Sequence, residues 1–138
     1  MSQLYLETSA LLTWMLGQAR AAEVREAVDK AELVVTSALT FIETERALIR
    51  AERGHLMTAG DAQRLRGLAR RARDSWMRMA VSEEVLSRAA MPFLFGPVRT
   101  LDAIHLATAL VLTQALPDLR ILTFDERIRA NAVAVGLA

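Results

Sequence analysis

Short apolar runs that do not alternate constrain this chain more than any other feature. Gln3–Leu6, Leu33–Thr36 and Arg120–Phe124 are four or five residues long and lack the polar-every-second-residue rhythm of a half-solvated sheet. Runs of this kind fit strands buried on both faces. The stretches between them carry helix punctuation. Thr8 or Ser9 caps a helix that runs to about Leu16 and stops at Gly17. Ala19–Ala31 forms a second helix. Leu39–Arg53 is closed by Gly54, and Thr58 opens a helix running toward Arg73. Ser82 starts a short helix that ends before Pro92, and Phe93–Val98 is a loop. Leu101–Leu116 is the longest apolar helix, with Pro117 beyond it, and Glu126–Ala132 is helical. Trp76–Val81 reads as a third strand, and Val133–Val135 as a last strand before Gly136. Strands separated by helices predict an α/β chain, a three-layer α/β/α sandwich around a central, mainly parallel sheet.

At 138 residues, the chain is expected to form a single domain over 1–138. Hydrophobic residues make up 53% of it, which excludes a disordered chain and is enough for a partner to cover some of the apolar surface. The net charge of +1 decides nothing about nucleic acid, but its distribution is uneven: nine arginines fall between Arg46 and Arg78, and Lys30 is the only lysine. Clustered arginine grips phosphate, and a solvated helical face accounts for the cluster equally well. There is no cysteine, so disulfides and zinc–thiolate sites are excluded and any metal must take oxygen or imidazole ligands. No apolar run reaches the ~20 residues of a membrane span. The apolar start is too short for a signal peptide and carries Glu7, so a cytoplasmic protein without membrane contact is expected.

Four acids occupy positions from which one crevice can be built. Glu7 ends the first apolar run, and Asp125 ends the run Ile121-Leu122-Thr123-Phe124. Asp102 lies in the first turn of the apolar helix. Glu43 lies a few residues beyond the second strand. Ligands of an open parallel sheet bind beyond the carboxyl ends of its strands. Carboxylates gathered there repel one another and stay ionised only around a positive charge. Hard oxygen donors suit Mg2+ or Mn2+, and one or two such ions serve phosphodiester hydrolysis.

Each acid also has a plainer reading. Asp102 complements the helix dipole, and Asp125 caps the helix that begins at Glu126. Glu7 is a solvated strand end, and Glu43 forms an exposed i,i+3 pair with Arg46. On a helical wheel Phe41, Ile42, Leu48 and Ile49 define an apolar side. Glu45 falls within that arc and needs an arginine partner, whereas Glu43 lies on the other side with Arg46 and Arg50. His105, one turn after Asp102, reads as a satisfied core residue, and Trp14 and Trp76 read as core or interface anchors. An Asp-x-Asp pair or a phosphate-binding glycine loop would mark a small-molecule phosphohydrolase; neither follows Leu6.

Four strings in order, Tyr-Leu-Glu-Thr-Ser-Ala-Leu-Leu (5–12), Thr-Ser-Ala-Leu-Thr-Phe-Ile-Glu (36–43), Leu-Asp-Ala-Ile-His-Leu-Ala-Thr-Ala (101–109) and Thr-Phe-Asp-Glu-Arg (123–127), resemble the PIN-domain ribonucleases, above all the VapC toxins of bacterial toxin–antitoxin pairs. The resemblance spans almost the whole chain. It implies a metal-dependent endoribonuclease with RNA as substrate, a homodimer, and a small VapB-like antitoxin lying over the site. It also implies that Glu7, Glu43, Asp102 and Asp125 ring the metal, and it alone selects Glu43 over Glu45. Thr8, Ser9 and Thr123 are supporting candidates. The family normally has aspartate where this chain has Glu7. The added methylene moves the carboxylate outward by about 1.5 Å, against a tolerance of roughly 0.2 Å in ligand distance. Reduced activity is the expectation, and a silent module that binds antitoxin or RNA without cleavage is the alternative.

Overall fold

The computed structural model describes residues 2–138. In chain order the elements are β1 (Gln3–Leu6), α1 (Thr8–Met15), α2 (Ala21–Lys30), β2 (Leu33–Ser37), α3 (Ala38–Arg53), α4 (Ala59–Ser75), β3 (Met77–Met79), α5 (Glu83–Ala89), α6 (Thr100–Leu112), β4 (Leu119–Leu122) and α7 (Glu126–Ala134). The strands form one sheet in the order β3-β2-β1-β4, and every pair is parallel.

Two cores separate the three layers. Leu4, Leu6 and Val34 point one way, against Leu11, Val24, Leu48 and Leu65 of α1–α4. Tyr5, Val35 and Ile121 point the other way, against Leu106 and Leu112 of α6 and Ile128 of α7. Successive strand residues thus feed opposite cores, which is why the runs are apolar throughout. Burial of such a side chain contributes about 1.5–3 kcal/mol. A surface pair such as Lys30–Glu26 on α2 contributes about 0.3–0.5 kcal/mol. Packing, not surface charge, therefore fixes the layers.

The chain steps outward from β1 to β2 to β3 and then returns to the far side of β1 as β4. The strand order reverses between β1 and β4, so the crevice of an open α/β sheet falls at their carboxyl ends. Side chains cap the helices that leave this edge. Glu7 accepts from Ser9 N for α1, Ser37 from Leu39 N for α3, and Asp125 from Arg127 N and Ile128 N for α7.

Three expectations need correction. Val133–Val135 is not a strand: α7 continues to Ala134, because Ile128, Asn131 and Ala132 are buried at i, i+3 and i+4 and helical spacing overrides the β-branched valines. The chain turns at Gly136 (φ +79°), and the Leu137 carbonyl accepts from Ile121 N at 2.7 Å beside β4. The strand expected over Trp76–Val81 is only Met77–Met79. It is an edge strand paired to β2 alone, and β2 ends at Ser37, leaving Ala80 and Val81 no partner. Ile42 is 62% exposed, so the apolar side of α3 is carried by Phe41 and Leu48 without it.

Candidate active site

Glu7 follows the last residue of β1, and its backbone N–H donates to Leu122 O at 3.1 Å, extending the β1–β4 ladder by one residue. Its buried side chain turns back along α1. Oε2 accepts from Ser9 N at 3.0 Å, Ser9 Oγ at 2.5 Å and Thr123 Oγ1 at 2.8 Å. Ser9 Oγ also accepts from Phe124 N at 2.8 Å, and Thr123 Oγ1 from Asp125 N at 3.1 Å. This carboxylate is the N-cap of α1, and its contacts knit the ends of β1 and β4 together.

Glu43 projects from the second turn of α3. Its Oε1 accepts from Thr8 Oγ1 at 2.7 Å and lies 2.5 Å from His105 Nε2. His105 Nδ1 is 2.8 Å from the Tyr5 hydroxyl. Burial, reinforced by the negative charge of Glu7, holds the Tyr5 phenol well above its ordinary pKa, so it stays protonated. Burial works to raise the Glu43 carboxyl. The hydrogen bond and charge of His105, with the Thr8 hydroxyl, outweigh it and hold Glu43 below the usual glutamate range.

Asp102 is buried in the first turn of α6. Arg99, just before the helix, grips it in a fork: Nε donates to Oδ2 at 2.9 Å and Nη2 to Oδ1 at 3.0 Å. The same Nη2 donates to Asp125 Oδ2 at 3.0 Å, while Asp125 Oδ1 caps α7. Asp102 foremost, then Asp125 and Glu43, raise the Arg99 pKa further, so one guanidinium answers to three of the four acids. Its side chain is nevertheless 61% exposed.

All four expected acids therefore lie at the switch-point edge, in differing company. Glu7 is satisfied by hydroxyls, Glu43 by histidine and threonine, and Asp102 and Asp125 by one arginine. Among the described residues no three His, Asp or Glu side chains are gathered closely enough to form a ready metal cage.

Two participants, Arg99 and Tyr5, escape a reading of the sequence, and a third, His105, has a role beyond the one expected. Arg99 sits three residues before Asp102, a spacing that also fits a simple surface pair. His105 is buried and satisfied, as expected, and it additionally anchors Glu43. Tyr5 supports His105 from a strand one hundred residues away, beyond any local pattern. Glu45 does find its arginine: Arg66 of α4 donates Nε to it at 2.7 Å and Nη1 to Glu52 at 3.2 Å. Away from this edge, Trp14 and Trp76 stack with centroids 5.9 Å apart. They line a cavity of about 560 Å³ with Leu11, Met15 and Leu68 between α1 and α4.

A parallel four-stranded sheet layered between helices defines a fold class, and comparison with known proteins gives the family. The PIN domain profile matches residues 4–134, and the chain belongs to the PIN-domain family. Within it, the chain falls among the VapC-type ribonuclease toxins. It is 34% identical to Ribonuclease VapC46 of Mycobacterium tuberculosis over 140 residues, covering 100% of this chain and 96% of that one. It is also 34% identical to Ribonuclease VapC35 of the same organism over 137 residues, covering 98% and 93%. Among solved structures, the M. tuberculosis sarcin-ricin loop cleaving toxin VapC20 superposes with a TM-score of 0.67 at 18% identity, over 98% of this chain and 96% of that one. A toxin–antitoxin complex from Klebsiella pneumoniae superposes with 0.62 at 20%, over 92% and 90%. These two likenesses concern the fold. No helix among the described residues is long and apolar enough to cross a membrane.

Proposed function

We propose that this chain is a divalent-metal-dependent endoribonuclease whose Mg2+ or Mn2+ is held by Asp102, Asp125 and Glu43, with a weakened contribution from Glu7. One observation carries the reading: Asp102 and Asp125 converge on a single positive group, the Arg99 guanidinium, at the switch point and within the field of Glu43. Two buried or half-buried carboxylates aimed at one cation form a donor set that fits a hard ion, and every donor is oxygen. A bound divalent ion supplies Lewis acidity toward a phosphodiester and lowers the pKa of water. The chain's own residues do the rest. His105 and Thr8 keep Glu43 ionised and fixed. Arg99, exposed at the crevice mouth, yields its place between the acids and turns to the RNA phosphate. Ser9 and Thr123 hold one Glu7 oxygen and leave Oε1 for the ion or its water.

The silent-module reading draws on the same Glu7 contacts, since a carboxylate used as a helix cap is a poor ligand. Cleavage of labelled RNA with Mn2+ separates the two. Asp102→Asn should lower the rate about 10²–10³-fold, and Glu7→Asp should raise it above the parent. An Asp102→Asn protein as fast as its parent defeats the scheme. A parent with no activity that Glu7→Asp restores establishes the silent module.

A VapB-like antitoxin would dock at the cavity of Trp14 and Trp76, whose mixed apolar and basic lining suits an amphipathic segment. Leu94 and Phe95, 74% and 53% exposed between α5 and α6, are available to a second copy in a homodimer.

A further inference from the structure

The charges of α3 are sorted by face. Glu45 and Glu52, one heptad apart, turn toward α4 and share Arg66. Arg46, Arg50 and Arg53 lie on the outer face, all exposed, and none joins an ion pair among the described residues. They rise along the helix by about 6 Å and then about 4.5 Å. With Ile49 and Gly54 they line a surface recess of about 490 Å³. The row starts one turn beyond Glu43, so it leads directly away from the acid edge.

We propose that Arg46, Arg50 and Arg53 form a track for the phosphate backbone of single-stranded RNA, feeding the strand to the crevice at Glu43; this rests on the ribonuclease reading above. Three features favour RNA over other partners. Arginines freed of their own helix's acids present forked donors to an anion at no loss of internal pairing. Their spacing along one line suits a chain of regularly repeated charges. A second copy docked through the same stripe would set arginine against arginine. The aromatic residue of α3, Phe41, packs into the core, so no ring on the stripe stacks a base. The track therefore supplies affinity and salt dependence without sequence preference, and the choice of cleavage site lies elsewhere.

The test is fluorescence anisotropy of a labelled single-stranded RNA against the full chain in EDTA, over a range of NaCl concentrations. The triple variant Arg46→Gln/Arg50→Gln/Arg53→Gln is compared with a charge-matched control, Lys30→Gln/Arg64→Gln/Arg129→Gln. The slope of log affinity against log salt should shrink by about 2 in the first variant, from about 0.7 per lost single-strand contact. It should change far less in the control. With Mn2+ added, the stripe variant should cleave the same positions as the parent, only more slowly at a given RNA concentration. Equal slopes for the two variants overturn the track, as does a stripe variant whose sedimentation shifts while its RNA slope stays put. A parent that neither binds nor cleaves RNA removes the ribonuclease reading itself. A parent that cleaves, with an unchanged stripe variant, removes the track alone.

Discussion

Two halves of one acidic edge satisfy their carboxylates in opposite ways. On the β1 side, Glu7 is buried and takes three donors from Ser9 and Thr123, groups that are themselves tied to the backbone just past β4. On the α6 side, Asp102 is equally buried, yet its main partner is the guanidinium of an exposed arginine that also reaches Asp125. Hydroxyls and amides fixed in the fold cannot leave without undoing it. An exposed arginine can swing into solvent and keep its charge hydrated. The difference teaches that a buried acid is best judged by how readily its partner can be exchanged. By that measure, and on the function proposed above, Asp102 and Asp125 are the acids that would exchange their partner for an ion, whereas Glu7 is tied into the scaffold.

The largest predicted effect falls on the support beneath both halves. His105→Ala removes the 2.8 Å partner of the Tyr5 hydroxyl and the histidine partner of the Glu43 carboxylate and leaves a cavity between them. It should cost about 3 kcal/mol, read as a lowered midpoint in urea unfolding. A loss no larger than that of an exposed-site substitution would mean that the Tyr5–His105–Glu43 line carries no strain of the fold.

The next effect separates the halves. Glu7→Ala removes a helix cap and should cost about 1 kcal/mol whether Mn2+ is present or not. Arg99→Gln should lower the melting temperature in EDTA, where Asp102 and Asp125 then face each other without a cation, and Mn2+ should restore most of it. If Mn2+ rescued Glu7→Ala as fully as Arg99→Gln, the two sides would be alike and the comparison would fail.

The smallest effect concerns pH. Glu43 is held below the ordinary glutamate range when folded, so its contribution is fully present above that range and is lost as pH falls through the depressed folded value. Glu43→Gln should flatten the acid limb of the stability profile and leave the neutral region nearly unchanged. A parallel pair of profiles would show that the histidine and threonine contacts do not hold its charge.

Much of this was legible in the chain. The unbroken apolar runs place Glu7 and Asp125 at strand ends, and the apolar helix places Asp102 in a first turn, because each of those signals is local. What joins the acids is not local. Tyr5 meets His105 and Thr123 meets Glu7 across separations of 100 and 116 residues, and only the fold makes them neighbours. Arg99 is near Asp102 in sequence, but its reach to Asp125 depends on β4 lying beside β1. Val133 misleads for the converse reason: its branched side chain argues for a strand, while the buried face set by Ile128 and Ala132 keeps it helical.

Calorimetric titration of Mn2+ into chelator-stripped protein tests the central contrast most directly, with Asp102→Asn and Glu7→Gln measured beside the parent. The exchangeable-partner account predicts that Asp102→Asn loses binding, while Glu7→Gln retains it within a few-fold. Tight Mn2+ binding by Asp102→Asn, or its abolition by Glu7→Gln alone, would contradict it.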